Sequence, residues 1–286
     1  MDGLRQALLD LITSALLGFD NMITSAETVL TNGLGSTWNA VLELSEILKP
    51  FCLTIIGICL LIEIAQVAAK VDIIKWEHGL KLAVKMVLSK VCIDIAPTFL
   101  EACYRQAALW ISLATGASIG GVSTLGSLVN DQMETLVMSV DGLWGVLGLF
   151  ISVLVVVIAI KICGLMVQVI AYGRMFELLV YLAVSPLPCA FLPLGDGSGG
   201  GYSRVTGNFF KNFVAICLQG VMMILCLRLF GILMTTAITD GIAQAAGLEG
   251  TVAVSELCYS MLMGAIVLVM SVVKSGSWAK SIINAM

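Results

Sequence analysis

The sequence predicts an all-α, polytopic membrane protein, and three observations carry that prediction. Of 286 residues, 59% are hydrophobic and only 12% are charged, with a mean hydropathy of +1.03. A soluble domain carries about 25% charged residues, so lipid is the solvent that this much apolar surface requires. Residues 143–160 then run for 18 positions without a charge, close to the length that crosses a hydrocarbon core about 30 Å thick. Finally, the lysines are spread unevenly over the connections, as in multi-pass chains. The formal net charge of −4 argues against a basic surface that coats nucleic acid.

Residues 4–30 place Leu4, Ala7, Leu8, Leu11, Ile12, Ala15, Leu16 and Phe19 at three- and four-residue steps, with Arg5, Asp10 and Asp20 among them. That spacing predicts an amphipathic helix too interrupted by charge to span. It would lie on the membrane surface or pack against a partner helix. The opening MDGLRQALLDLI lacks a basic start, an apolar run and a cleavage site, so it does not read as a signal peptide. Asn32-Gly33-Leu34-Gly35-Ser36 breaks the helix, and Ser36 or Thr37 suits the cap of a short helix ending near Lys49. Residues 1–47 are thus expected to form an N-terminal amphipathic region and 48–286 a transmembrane domain.

Five spans are expected in that domain. The first covers about 48–69, with Pro50 in its first turn, where the missing N–H is harmless, and with Glu63 interrupting it. The second, about 91–115, carries Asp94, Glu101 and Arg105, so it should avoid lipid and face a bundle interior or a neighbouring subunit; Pro97 should bend it. The third covers about 143–172, the fourth about 205–236, and the fifth about 257–273. Residues 174–194 contain Pro186, Pro188 and Pro193, which cannot sustain a regular helix and which free carbonyls that need protein or water around them. A broken, re-entrant hairpin fits this stretch better than a straight span.

The lysines orient these spans. Lys70, Lys75, Lys81, Lys85 and Lys90 crowd one connection, so that side is expected to be cytoplasmic. Residues 116–142 and 237–256 hold acidic residues and no lysine, which suits the outside, whereas Lys274 and Lys280 favour the inside. These placements agree if 174–194 enters and leaves on the cytoplasmic side, with the amino terminus outside and the carboxyl terminus inside a cytoplasmic membrane.

The stretch 174–223 carries a resemblance. Arg174 and Glu177 precede a Ser-Pro-Leu-Pro break, followed by a glycine-rich turn and by Lys211-Asn212 at the head of a long helix. Together with the topology over about 48–273, this resembles the TrbL-type polytopic subunits of type IV secretion systems, particularly those of Gram-positive conjugative elements. The resemblance implies a channel or scaffold subunit in the inner-membrane platform of a conjugation machine, helping to move a DNA–protein substrate. It also implies a homo-oligomer that contacts other secretion membrane subunits and energising ATPases, together with lipid and the transferred single-stranded DNA.

Charges at membrane depth are the candidate pore, inter-subunit or substrate contacts, because each costs at least ~2.5 kcal/mol at the bilayer centre. Lys161 reads as a pore-lining charge or as a lysine snorkelling to the interface. Arg174 and Glu177 lie three apart and can pair. Arg228 is either an internal charge or one at the outer interface. Asp94 and Glu101 share a helix face, with Arg105 one turn beyond. Lys81, Lys85 and Lys90 suit anionic headgroups or a phosphate backbone, although only Trp76 offers a stacking partner.

No enzymatic motif is present: no GxxxxGK[ST], HExxH or GxSxG occurs. The nine cysteines are scattered without a CxxC pair, and His78 is the single histidine. Cofactors and metals are therefore not expected, and the cysteines read as lipid- or core-facing thiols. Two rival readings share the same architecture. One is a small-molecule or ion transporter that binds at the broken hairpin; the other is a sporulation- or phage-type channel component.

Overall fold

The structure is a computed structural model that describes residues 2–32, 35, 37–70, 76–116, 143–194, 201–245 and 250–285. Among them every regular element is helical: α1 (Asp2–Asn32), α2 (Thr37–Lys70), α3 (Trp76–Gly116), α4 (Leu143–Val184), the short α5 (Pro186–Ala190), a 3-10 turn (Leu192–Leu194), α6 (Gly201–Ala245) and α7 (Gly250–Ala285). Five helical stretches among the described residues are long and apolar enough to cross a membrane: Arg5–Thr31, Thr37–Ala65, Gly145–Ala190, Val205–Asp240 and Val254–Ile283. The chain is a polytopic α-helical membrane protein.

These five are not the same set as the spans drawn from the sequence. The stretch in α1 qualifies with a mean hydropathy of 1.3, because its four charges sit far enough apart to leave apolar turns between them. The stretch 91–115 is part of the longer α3, whose lysines and acids keep it outside the set. The short helix expected to end near Lys49 and the span expected from 48 are one helix, with Pro50 in its interior. Proline removes one ladder hydrogen bond there, a loss that packed membrane helices tolerate. Pro97 likewise lies inside α3. Helix α4 runs across 173 without a break, so residues 174–184 are the tail of a 42-residue helix rather than the first limb of a separate hairpin. At about 63 Å this helix is roughly twice the hydrocarbon thickness. Helix α6 continues through Asp240 to Ala245 and α7 starts at Gly250, shortening the expected acidic connection 237–256. The glycine-rich turn at 195–200, the connection 117–142 with its three acids, Ser36 and Lys75 lie outside the described residues.

The chain divides into two compact units, residues 1–31, 110–173 and 220–278 in one and residues 32–109, 174–219 and 279–286 in the other. In the first, α1 supplies a buried stripe of Leu8, Ile12, Ala15, Phe19, Met22, Ala26 and Leu30. The three- and four-residue steps are those of one helix face, so the amphipathic helix packs within its own chain. Small residues allow the close approach. A methyl group on Gly164 would stand 3.3 Å from Met22 Cε, and one on Gly18 would stand 3.6 Å from Ile160 Cγ2. Phe19 meets Phe230 at 5.5 Å between centroids, and Thr115 Oγ1 donates to Glu27 Oε1 at 2.6 Å.

In the second unit α2 packs against α5 and the 3-10 turn. Cys52, Ile56, Ile93, Ala96, Cys189 and Ala190 form their buried core, with Leu187, Leu192 and Phe210 packed around it. An aromatic string continues from Phe99 to Phe210, Phe209 and Tyr181, with centroids 5.1–5.7 Å apart.

The tightest glycine among the described residues is Gly264 on α7. A methyl group there would collide with the Met234 sulfur and stand 3.4 Å from the Phe230 ring. Gly264→Val should therefore lower stability by about 1–3 kcal/mol through overpacking, read as a fall in thermal midpoint of the detergent-purified protein. Adding Met234→Ala should return most of that loss; an unchanged midpoint in the single variant would contradict the packing described.

Candidate functional site

The proline break of the second unit is held by hydrogen bonds from three sides. Pro186 has no N–H to give to the Leu182 carbonyl four residues back; the Ser185 N–H takes that carbonyl instead, at 3.2 Å. Pro193 in the same way leaves the Cys189 carbonyl without its helical donor. Ser89 Oγ, on α3, donates to that oxygen at 2.7 Å. The Pro188 carbonyl accepts from Thr206 Oγ1 on α6 at 2.7 Å and from the Phe191 N–H at 3.4 Å. Ser89 and Thr206 are buried, so these bonds form where water does not compete. Cys92 and Cys189 also touch, with sulfurs 2.8 Å apart. The break is thus a tethered turn in which hydroxyls of α3 and α6 bond the Cys189 and Pro188 carbonyls alongside the turn's own N–H groups.

Around it the charges differ in burial. Lys85 and Glu63 form an ion pair between α3 and α2 at 2.5 Å, with side chains only 17% and 13% exposed. Lys81 and Lys90 are exposed on α3. The expected run of three lysines is therefore not one surface, because Lys85 is turned inward to Glu63. Asp94 is also exposed, while Glu101 holds Arg105 at 2.6 Å on the same helix.

Arg174 sits at the centre of a second network. It donates from Nη1 to Glu177 Oε2 at 2.8 Å. With the Gln219 amide presenting its oxygen, Nη2 and Nε donate to it at 2.7 and 3.0 Å. Gln219 is only 2% exposed, so the arginine ties α4 to a buried point on α6.

Two cations in the first unit behave differently. Lys161 is exposed on α4, and it makes no ion pair among the described residues. Arg228 is half-buried on α6, and its Nε is enclosed with no hydrogen-bond partner among them.

Gln219, Ser89 and Thr206 carry no charge and no motif in the sequence; Glu63 reads there as an intramembrane charge close to the lysine-rich boundary, without its partner Lys85. A serine, a threonine or a glutamine inside an apolar helix shows nothing of the long-range oxygen it will meet.

The arrangement can anchor helices and hold charge at depth; no cluster of three or more metal-ligating side chains occurs among the described residues. A family model for TrbL/VirB6 plasmid conjugal transfer-like proteins matches residues 31–186, more than half of the chain. The chain belongs to that family. The match runs from the end of α1 to the first proline of the break, whereas most of the stretch 174–223 lies beyond it. Membership makes the chain a membrane component of type IV secretion conjugation systems, a structural family that works with other components of the apparatus. No curated protein and no solved structure matches it.

Within this TrbL/VirB6 protein, Glu63→Gln should remove the charge-assisted bond to Lys85 and lower stability by about 2 kcal/mol, measured by thermal unfolding in detergent. Glu63→Met combined with Lys85→Met should recover part of the loss, since a buried pair is replaced by apolar packing. Equal midpoints for Glu63→Gln and the parent chain would show that the pair contributes nothing.

Proposed function

We propose that the chain is a channel or scaffold subunit of the inner-membrane platform of a conjugative type IV secretion system, helping to translocate a DNA–protein substrate. The family match over residues 31–186 carries this reading. The enclosed, unbonded Arg228 Nε and the exposed Lys161 support it, because charges on apolar helices are costly without partners, and an assembly supplies partners from other subunits. In this reading several copies surround the substrate route and contact the energising ATPases. The lysine-bearing start of α3, the proline break as a re-entrant turn, and the carboxyl terminus face the cytoplasm, following the positive-inside rule. Lys81 and Lys90, rather than Lys85, are the lysines placed to meet phosphate or anionic lipid.

Cross-linking in mating donor cells, followed by capture of this protein, tests the role. Recovery of the transferred strand together with secretion subunits and ATPases is the expected outcome. Reversing Lys81 and Lys90 to glutamate should lower strand recovery while subunits still co-purify and membrane accumulation is unchanged. Capture of subunits without the strand would make the protein a scaffold only, and capture of neither would refute the platform role.

A further inference from the structure

A cavity of about 220 Å³ in the second unit is lined by Glu177, Tyr181, Asn212, Ile216, Lys280 and Ile283, among others. It lies where the carboxyl-terminal part of α4, the amino-terminal part of α6 and the carboxyl-terminal end of α7 meet. Alternating direction places these three ends on one side of the membrane.

Its polar groups are of both signs and are not spent on each other. Glu177 gives Oε2 to Arg174, and no described donor is bonded to its Oε1. Lys280 is exposed and makes no ion pair among the described residues. Asn212 adds an amide that can donate or accept. Tyr181 is held by its stack on Phe209 at 5.1 Å, and the Arg174–Gln219 bonds hold the Glu177 side of the rim. A ligand that satisfies this set carries an anion for Lys280 and Asn212 and a hydrogen-donating cation for Glu177.

The surroundings are those of an amphiphile. Phe176 and Val180 on α4, Val214 on α6 and Ile282 on α7 are next to lining residues in sequence and are 40–67% exposed. Large apolar side chains beside a polar cavity, on helices that cross a membrane, suit acyl chains running down from a bound head. At 220 Å³ the cavity is smaller than those that hold drug-sized ligands, so it takes a headgroup and leaves the chains outside.

We propose that this cavity binds the headgroup of an aminophospholipid, with the phosphodiester on Lys280 and Asn212 and the primary ammonium of phosphatidylethanolamine on Glu177. The lipid would join α4, α6 and α7 at the level where they leave the membrane. The assignment concerns this chain alone and stands whatever substrate the assembled machine moves.

The test is native mass spectrometry of the full chain released from nanodiscs containing equal phosphatidylethanolamine, phosphatidylglycerol and phosphatidylcholine. Phosphatidylethanolamine should be retained about tenfold over each of the others, the size of one charge-assisted hydrogen bond. That preference should vanish in Glu177→Gln, whereas Lys280→Ala should weaken retention of all three lipids. Because Glu177 also holds Arg174, Asn212→Leu serves as a variant outside that network, and it should weaken retention without altering the gel-filtration profile. Retention of phosphatidylglycerol at or above the level of phosphatidylethanolamine would make the cavity a plain anion site and overturn the proposal. So would equal retention of all three lipids, or equal binding of soluble glycerophosphoethanolamine, which lacks the chains.

Discussion

A carbonyl stripped of its helical donor cannot be left bare where water is scarce, and that constraint organises the second unit. Three prolines between positions 186 and 193 remove N–H groups in succession, and each freed oxygen in a dry setting costs several kcal/mol. Backbone N–H groups at the turn meet part of that demand, reaching Leu182 O, Pro188 O and Cys189 O, and hydroxyls from elsewhere add to it: Ser89 on Cys189 O and Thr206 on Pro188 O. Those two bonds link the break to α3 and to α6 across 100 and 18 residues of sequence. Once the break is held, its apolar side forms the core with α2 through Cys52 and Ile56. The Arg174 network lies one helical stretch before the break and the headgroup-sized cavity beside it.

The first unit works by a different device. Its helices approach through glycine, with Gly164 receiving Met22 and Gly264 receiving Met234 and Phe230. Hydrophobic sorting gives little drive between helices in lipid, so close van der Waals packing takes its place. The same unit holds Lys161 and Arg228, which make no ion pair among the described residues.

Much of this was legible in the sequence. Composition and the uncharged run 143–160 gave the membrane class, and the stripe from Leu8 to Phe19 marked the buried face of α1. Arg174 and Glu177, three apart, do pair. The rest failed for physical reasons. Pro50 suggests the start of a helix, yet α2 passes through it. The lysines at 81, 85 and 90 read as one patch because sequence shows spacing and not the glutamate, 22 residues before Lys85, that draws it inward. Ser89, Thr206 and Gln219 act through oxygens or guanidinium groups brought near only by folding, and small polar residues in membrane helices more often bond their own backbone, as Thr235 and Ser152 do here.

The central claim is that two buried hydroxyls hold the proline break. Hydrogen–deuterium exchange of the purified chain carrying Ser89→Ala and Thr206→Val tests it most directly. The account predicts faster exchange in peptides covering residues 185–194, with exchange in α1 unchanged. Unaltered exchange over 185–194 in the double variant would contradict it, and would mean that apolar packing against α2 alone fixes the break.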